Sequence, residues 1–423
     1  MNNSAILERE TSTVDSETGA PETGASKAVA PAADPLEGFE APRVLGRVDG
    51  SEPGPTLIVV GGLHGNEPSG VQALQRLLPE LAADARAVER GRVVGLTGNR
   101  KALAMKRRFL AHDLNRYWLP ERVAQLRATA APLADEDHEL RELDRQIESL
   151  VETADGPVYL LDLHTTSAPD RPFATLDDSL RNRPFAFAFP VPVVLGLEEE
   201  LAGTLTAHVG DLGIITAGFE SGRHGTREAR DRAVDAIWIA LAASGVTRND
   251  HPEAVAARQR LEEECAGLPH VVEVRYRHAI RDEDRFRMHP GHENFQPVKR
   301  GQSLGEQSLG EQSLGEERRG SATSPVSGLL LMPLYQQQGA DGFFVVKPVN
   351  RMWLEASATV RRWRLERFVH WLPGVRKHPE QTGAFIVDQR YARWLAPELF
   401  HLLGFRRQGT ADRVLILRRR HDD

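Results

Sequence analysis

Cysteine is nearly absent from this chain of 423 residues: Cys265 stands alone. A single cysteine excludes an internal disulfide and a Cys-rich metal cluster, and fits a reducing compartment. Within Arg260-Leu-Glu-Glu-Glu-Cys265 it reads as an inert thiol rather than a nucleophile. No apolar run comes near the roughly 20 residues needed to span a bilayer. The first ten residues lack a basic stretch followed by an apolar core, so no secretory leader is expected and the default location is the cytoplasm. An excess of positive charge is also missing. The net charge of −7 argues against nucleic-acid binding by the protein as a whole. At this length two or three compact units and a large core are expected.

Residues 1–42 are rich in Ser, Thr, Ala, Pro, Gly and acid and nearly free of large apolar side chains. Such a segment cannot offset its ordering entropy, so a disordered tail is expected. From 43 the pattern turns to alternating α/β. Short apolar runs at 56–61, 92–96, 158–163 and 214–219 predict strands covered on both faces. Helical patterns fall at 69–82, 135–152, 198–210 and 227–243. This alternation predicts a three-layer α/β/α mixed sheet over 43–268. After a charged helical stretch near 252–266, strand-like segments at 271–278, 327–332 and 342–346 predict a small β-rich domain over 269–348. Inside it, 301–316 repeats a five-residue unit three times and reads as a flexible loop. The last segment, 349–423, predicts helices at 351–367 and 391–403 and a strand at 414–417. From 351 to the end it carries 15 Lys/Arg against 8 Asp/Glu, a basic α+β appendage on an acidic protein.

Chemistry concentrates where apolar runs end. In Leu57-Ile-Val-Val-Gly-Gly-Leu-His64-Gly-Asn-Glu67-Pro-Ser-Gly70, a strand-length run gives way to a His and a Glu three positions apart at a helix start. A catalytic zinc needs three nitrogen or oxygen ligands and one open position. His64 and Glu67 offer two on a tight turn. Tyr159-Leu-Leu-Asp162-Leu-His164-Thr-Thr-Ser167 offers the third after another apolar run, with Asp162 on the same strand face as a supporting partner of His164. Arg107-Arg108-Phe-Leu-Ala-His-Asp113-Leu-Asn115-Arg116 gathers groups suited to holding a carboxylate, because a guanidinium donates two parallel hydrogen bonds. Ala217-Gly-Phe-Glu220-Ser-Gly-Arg-His224 again runs from a strand into a glycine turn. A carboxylate there can move a proton between water and a leaving nitrogen, or can simply favour the following helix start.

Together, Gly62-Leu-His64-Gly-Asn-Glu67, Arg108 with Asp113-Leu-Asn115-Arg116, Asp162-Leu-His164-Thr-Thr-Ser and Phe219-Glu220-Ser-Gly resemble the succinylglutamate desuccinylase and aspartoacylase family. These are zinc hydrolases related to metallocarboxypeptidases. The resemblance covers roughly 43–348. It implies one zinc per chain held by His64, Glu67 and His164, with Glu220 as general base. It further implies Arg108 as the oxyanion-stabilising residue and Asn115 with Arg116 as the substrate-carboxylate site. The reaction implied is hydrolysis of the amide in a small N-acyl amino acid or similar carboxylate-bearing amide. Aspartoacylases use a further arginine about ten residues before the catalytic Glu, and a late tyrosine. Here 207–214 holds no arginine, and 334–341 offers only Tyr335. A metallocarboxypeptidase acting on short peptides is the alternative enzyme. A non-catalytic zinc-fold protein using its basic C-terminal segment is the alternative of another class.

Overall fold

The computed structural model describes residues 41–129, 133–169, 171–311, 317–336, 338–363, 371, 374–379, 384–388, 405–411 and 414–419. Residues 1–40 of the expected tail and the expected helix at 391–403 lie outside the described residues. The α/β body comprises β1 (Val44–Asp49), β2 (Glu52–Gly61), α1 (Ser69–Ala83), β3 (Arg90–Thr97), α2 (Arg100–Ala104), α3 (Pro120–Ala128), α4 (Asp135–Glu152), β4 (Val158–Thr166), β5 (Phe173–Thr175), α5 (Arg183–Ala186), β6 (Val193–Leu195), α6 (Leu197–Glu200), α7 (Leu205–Asp211), β7 (Ile215–Arg223), α8 (Arg227–Ser244) and α9 (Pro252–Glu264). The later part comprises β8 (Val271–Ala279), β9 (Arg287–Met288), β10 (Pro297–Val298), β11 (Ser303–Glu311), β12 (Glu317–Thr323), β13 (Gly328–Leu331), β14 (Asp341–Pro348), α10 (Arg351–Arg362), β15 (Val375–Lys377), β16 (Ala384–Asp388), β17 (Phe405–Ala411) and β18 (Val414–Arg419).

Among the described residues the central sheet has eleven strands in the order β1-β3-β2-β4-β7-β5-β6-β8-β14-β13-β10. Its middle is parallel: β2 pairs with β3 and β4, and β4 with β7. Alternation along β2 explains why an unbroken apolar run forms here. Leu57 and Val59 pack with α1 and α8, while Ile58 and Val60 pack with Leu126 of α3 and Leu140 of α4. All four are fully buried, each contributing about 1.5–3 kcal/mol relative to exposure. The chain moves from β2 to β3 on one side and later to β4 on the other. Order reverses between β2 and β4, and the crevice beyond the carboxyl ends of such strands is where open α/β sheets bind ligands.

Three expectations are modified. The β-rich part is not set apart from the body, because β6 pairs with β8 and the sheet runs on through β14, β13 and β10. The repeat is not a free loop throughout. Its first part is β11, which pairs antiparallel with β12, while 312–316 lie outside the described residues. The helix expected at 198–210 is two, α6 and α7. Thr204 caps α7 by accepting from Ala207 N, and Gly203 before it has φ +73°. A Cβ on Gly203 would lie 2.4 Å from the Arg116 carbonyl oxygen, so the chain bends there against the Arg116 backbone. Beyond the body, β15-β16-β18-β17 form a four-stranded antiparallel sheet, in which β18 contains the strand expected at 414–417. No described helix is long and apolar enough to cross a membrane.

Candidate metal centre and active site

The turn after β2 and the end of β4 converge on one buried carboxylate. Glu67 Oε1 lies 2.8 Å from His64 Nδ1, and Glu67 Oε2 lies 3.1 Å from His164 Nδ1. Gly65 makes the turn possible, since a Cβ there would sit 2.1 Å from the Ala102 carbonyl carbon. The ligating atoms of His64, Glu67 and His164 lie within 4.8 Å of one another, a set that could hold a metal ion. The outward Nε2 atoms are engaged as well: His64 with Asp113 at 3.0 Å, and His164 with Asp162 at 2.9 Å. Carboxylates bound behind ligand histidines fix the ring orientation and tautomer, so the donor set fits a metal of the zinc type. Asp162 sits where its spacing from His164 predicted. Asp113 is a partner that sequence reasoning missed, although it lay inside a quoted motif.

Electrostatics follow from this packing. Burial alone would raise the Glu67 carboxyl, but the two histidines hold it well below the usual range. Burial would lower His164, yet Asp162 and Glu67 hold it well above its ordinary value. Burial likewise pushes Asp113 up, but Arg108 and His64 outweigh it and hold it well below. Glu220 differs from all of these. It stands opposite His164 across the β4–β7 ladder, its Oε2 is buried with no hydrogen-bond partner, and burial pushes its carboxyl up to about 8.

His64, Glu67, His164, Glu220, Arg108, Asn115 and Arg116 all line one narrow cavity of about 80 Å³. Arg108 lies 3.4 Å from Glu67 Oε1 and grips Asp113 through Nε and Nη2 at 3.1 and 3.0 Å. Asn115 Oδ1 accepts from Leu205 N, which ties it to the start of α7. Arg116 meets Asp341 of β14 at 3.2 Å, and Asp341 also receives Arg277 at 2.6 Å. The loop carrying Arg108 and Asp113 is gathered by Glu136, a fully buried acid in the first turn of α4. It accepts the backbone N–H groups of Leu110, Ala111 and His112. In sequence Glu136 sits in an acidic run, Asp135-Glu-Asp, that resembles a solvated helix start, and nothing local marks it as buried. His112, in the same loop, stacks on Tyr117. Tyr335 does not line the cavity; its hydroxyl bonds to His289 O and His292 N. His208, in the region without arginine, pairs with Asp144.

Residues 53–238 match the family described as the succinylglutamate desuccinylase/aspartoacylase catalytic domain. The matched segment contains His64, Glu67, His164 and Glu220, while β8 to β18 lie beyond it. In fold, the chain is similar to a succinylglutamate desuccinylase/aspartoacylase from Rhodobacter sphaeroides, with 21% identity over 72% of this chain and 88% of that one and a TM-score of 0.50. It is also similar to the product-bound ectoine utilization protein EutE (DoeB) from Ruegeria pomeroyi, with 20% identity over 71% and 87% and a TM-score of 0.51. No curated protein matches the chain in sequence.

Proposed function

We propose that this protein is a zinc-dependent amidohydrolase that deacylates a small N-acyl amino acid or a similar carboxylate-bearing amide. The observation that carries this reading is the juxtaposition of Glu220, with a buried, unpartnered oxygen, and the His64-Glu67-His164 cluster in one cavity. His64, Glu67 and His164 would hold the zinc. A bound zinc supplies Lewis acidity and an open coordination position for water. Glu220 takes the proton of the attacking water and returns it to the leaving nitrogen. Its raised pKa suits a group that must both accept and give a proton near neutral pH. Arg108, beside Glu67, donates to the carbonyl oxygen as negative charge develops there.

Asn115 and Arg116 hold the substrate carboxylate. Asp341 is divided between Arg116 and Arg277, two guanidiniums against one carboxylate, which leaves positive charge for an incoming anion. Metal analysis together with release of amine from N-acyl amino acids and from short peptides tests this function. One zinc per chain and turnover of the acyl amino acids are expected. Turnover of peptides alone would replace the deacylase by a carboxypeptidase, and binding without any turnover would favour a non-catalytic zinc-fold protein.

A further inference from the structure

The segment 332–336, leaving β13, closes against three site-bearing turns. Tyr335 N donates to Ser167 Oγ at 2.9 Å, just beyond the His164 end of β4. Gln336 Oε1 accepts from Asn66 Nδ2 at 2.8 Å, in the turn between His64 and Glu67. The same oxygen lies 3.0 Å from His224 Nε2, on the turn that follows Glu220. His224 Nδ1 in turn lies 2.7 Å from the Thr165 hydroxyl. An amide oxygen only accepts, so His224 carries its proton on Nε2, and Nδ1 accepts from Thr165. The Gln336 carboxamide is therefore oriented from outside, with its oxygen satisfied twice. Its Nε2 has no hydrogen-bond partner among the described residues, and Gln336 lines the same cavity as the metal ligands.

The charges around the cavity say what those two N–H donors can receive. Arg108 is committed to Asp113 and Glu67, and Arg116 with Arg277 compensates Asp341 and leaves one positive charge over. The far wall adds Glu198, whose carboxylate accepts from Thr204 at 2.6 Å and Thr206 at 3.0 Å. One substrate carboxylate is matched at Arg116, but a second would meet Glu198, which already faces that guanidinium. An uncharged acceptor meets no such opposition. We propose that Gln336 is a specificity-determining residue whose carboxamide N–H groups bind an uncharged oxygen on the substrate, remote from the scissile amide, with Asn66 and His224 as its positioning residues. This inference rests on the amide-hydrolase reading above.

Two matched series test it on the zinc-loaded full chain. In one the acyl group varies: N-succinamoyl-, N-succinyl- and N-butyryl-L-alanine. In the other the amino acid varies: N-acetyl-L-glutamine, N-acetyl-L-glutamate and N-acetyl-L-norvaline. In at least one series the carboxamide member should exceed both others in kcat/KM by on the order of tenfold, through KM, the worth of one well-made hydrogen bond. Gln336→Glu still accepts from Asn66 and His224 but has no N–H to give. It should erase that preference, with the change read in KM. His224→Gln, which keeps a donor for Gln336, should retain the preference, and His224→Phe should lose it, with zinc content unchanged throughout. A carboxylate or alkyl preference in both series, or an unchanged preference in Gln336→Glu, overturns the inference alone. Loss of zinc from Gln336→Glu would make the residue a support for the ligand turn and overturns it too. Hydrolysis of neither series overturns the functional reading and this inference together.

Discussion

The two ends of the cavity are built by different means. At the metal end, His64, Glu67, His164 and Glu220 come from the carboxyl ends of β2, β4 and β7, three strands adjacent in one parallel sheet. At the far end, Glu198 and Thr204 flank the bend between α6 and α7 and Asp341 opens β14, while Gln336, from the segment leaving β13, reaches the metal-end turns through Asn66 and His224. Strand ends are fixed by a buried core, so the metal end is rigid and its residue types are dictated by ligand chemistry. The far end is assembled from connections whose positions depend on remote packing. A sheet of this kind can keep one reaction while its connecting segments change the substrate.

Breaking the metal end should have the largest effects. His164→Ala should leave the protein without bound zinc and without measurable turnover, read by metal analysis of the purified protein. Zinc at one per chain in that variant would move the third ligand elsewhere. Glu220→Gln should keep zinc and lose on the order of 10²–10⁴ in kcat, the usual worth of a positioned acid or base; loss of zinc instead would make Glu220 a ligand. Asp113→Asn and Asp162→Asn should each weaken zinc affinity about 10- to 100-fold in chelator competition. Equal damage from the two would show that the histidines are held alike, whereas damage from only one would show that a single strand end carries the site.

Smaller effects sharpen the contrast with segments outside the cavity. Glu136→Gln removes a charged acceptor from the backbone of the Arg108 loop, at a cost of about 1.5–3 kcal/mol. Thermal unfolding should fall by several degrees and kcat/KM should drop. A lower midpoint with unchanged kinetics would mean that the loop does not need Glu136 to present Arg108. The smallest kinetic effect is expected at α10. Arg361 is buried there against Asp178, which also grips Arg183 through Nη2 at 3.0 Å. Arg361→Ala should lower the midpoint, by about 1–3 kcal/mol in stability, and leave kcat/KM unchanged. A kinetic change would couple the C-terminal segment to the cavity.

The strands that carry the ligands were legible because a strand buried on both faces must be apolar throughout, and 57–60 and 160–161 are. A His or Glu directly after such a run has few structural reasons to be there, so His64, Glu67, His164 and Glu220, which share one cavity, could be picked out by position. Asp162 was legible as well, since a period of two puts it on the same face as His164. Asp113, Glu136 and Gln336 were not, because each acts on a partner 26 to 270 residues away and no local pattern records that. The sequence by itself determined the sheet's buried core and the His64, Glu67, His164 and Glu220 cluster at its strand ends. Tertiary structure alone decided how β8 to β14 extend the sheet, which carboxylates stand behind the histidines, and that Arg116 shares Asp341. It also brought Gln336 into the cavity between Asn66 and His224. Periodicity is a local property of the chain, whereas charge pairing and closure depend on which distant segments the fold brings into contact.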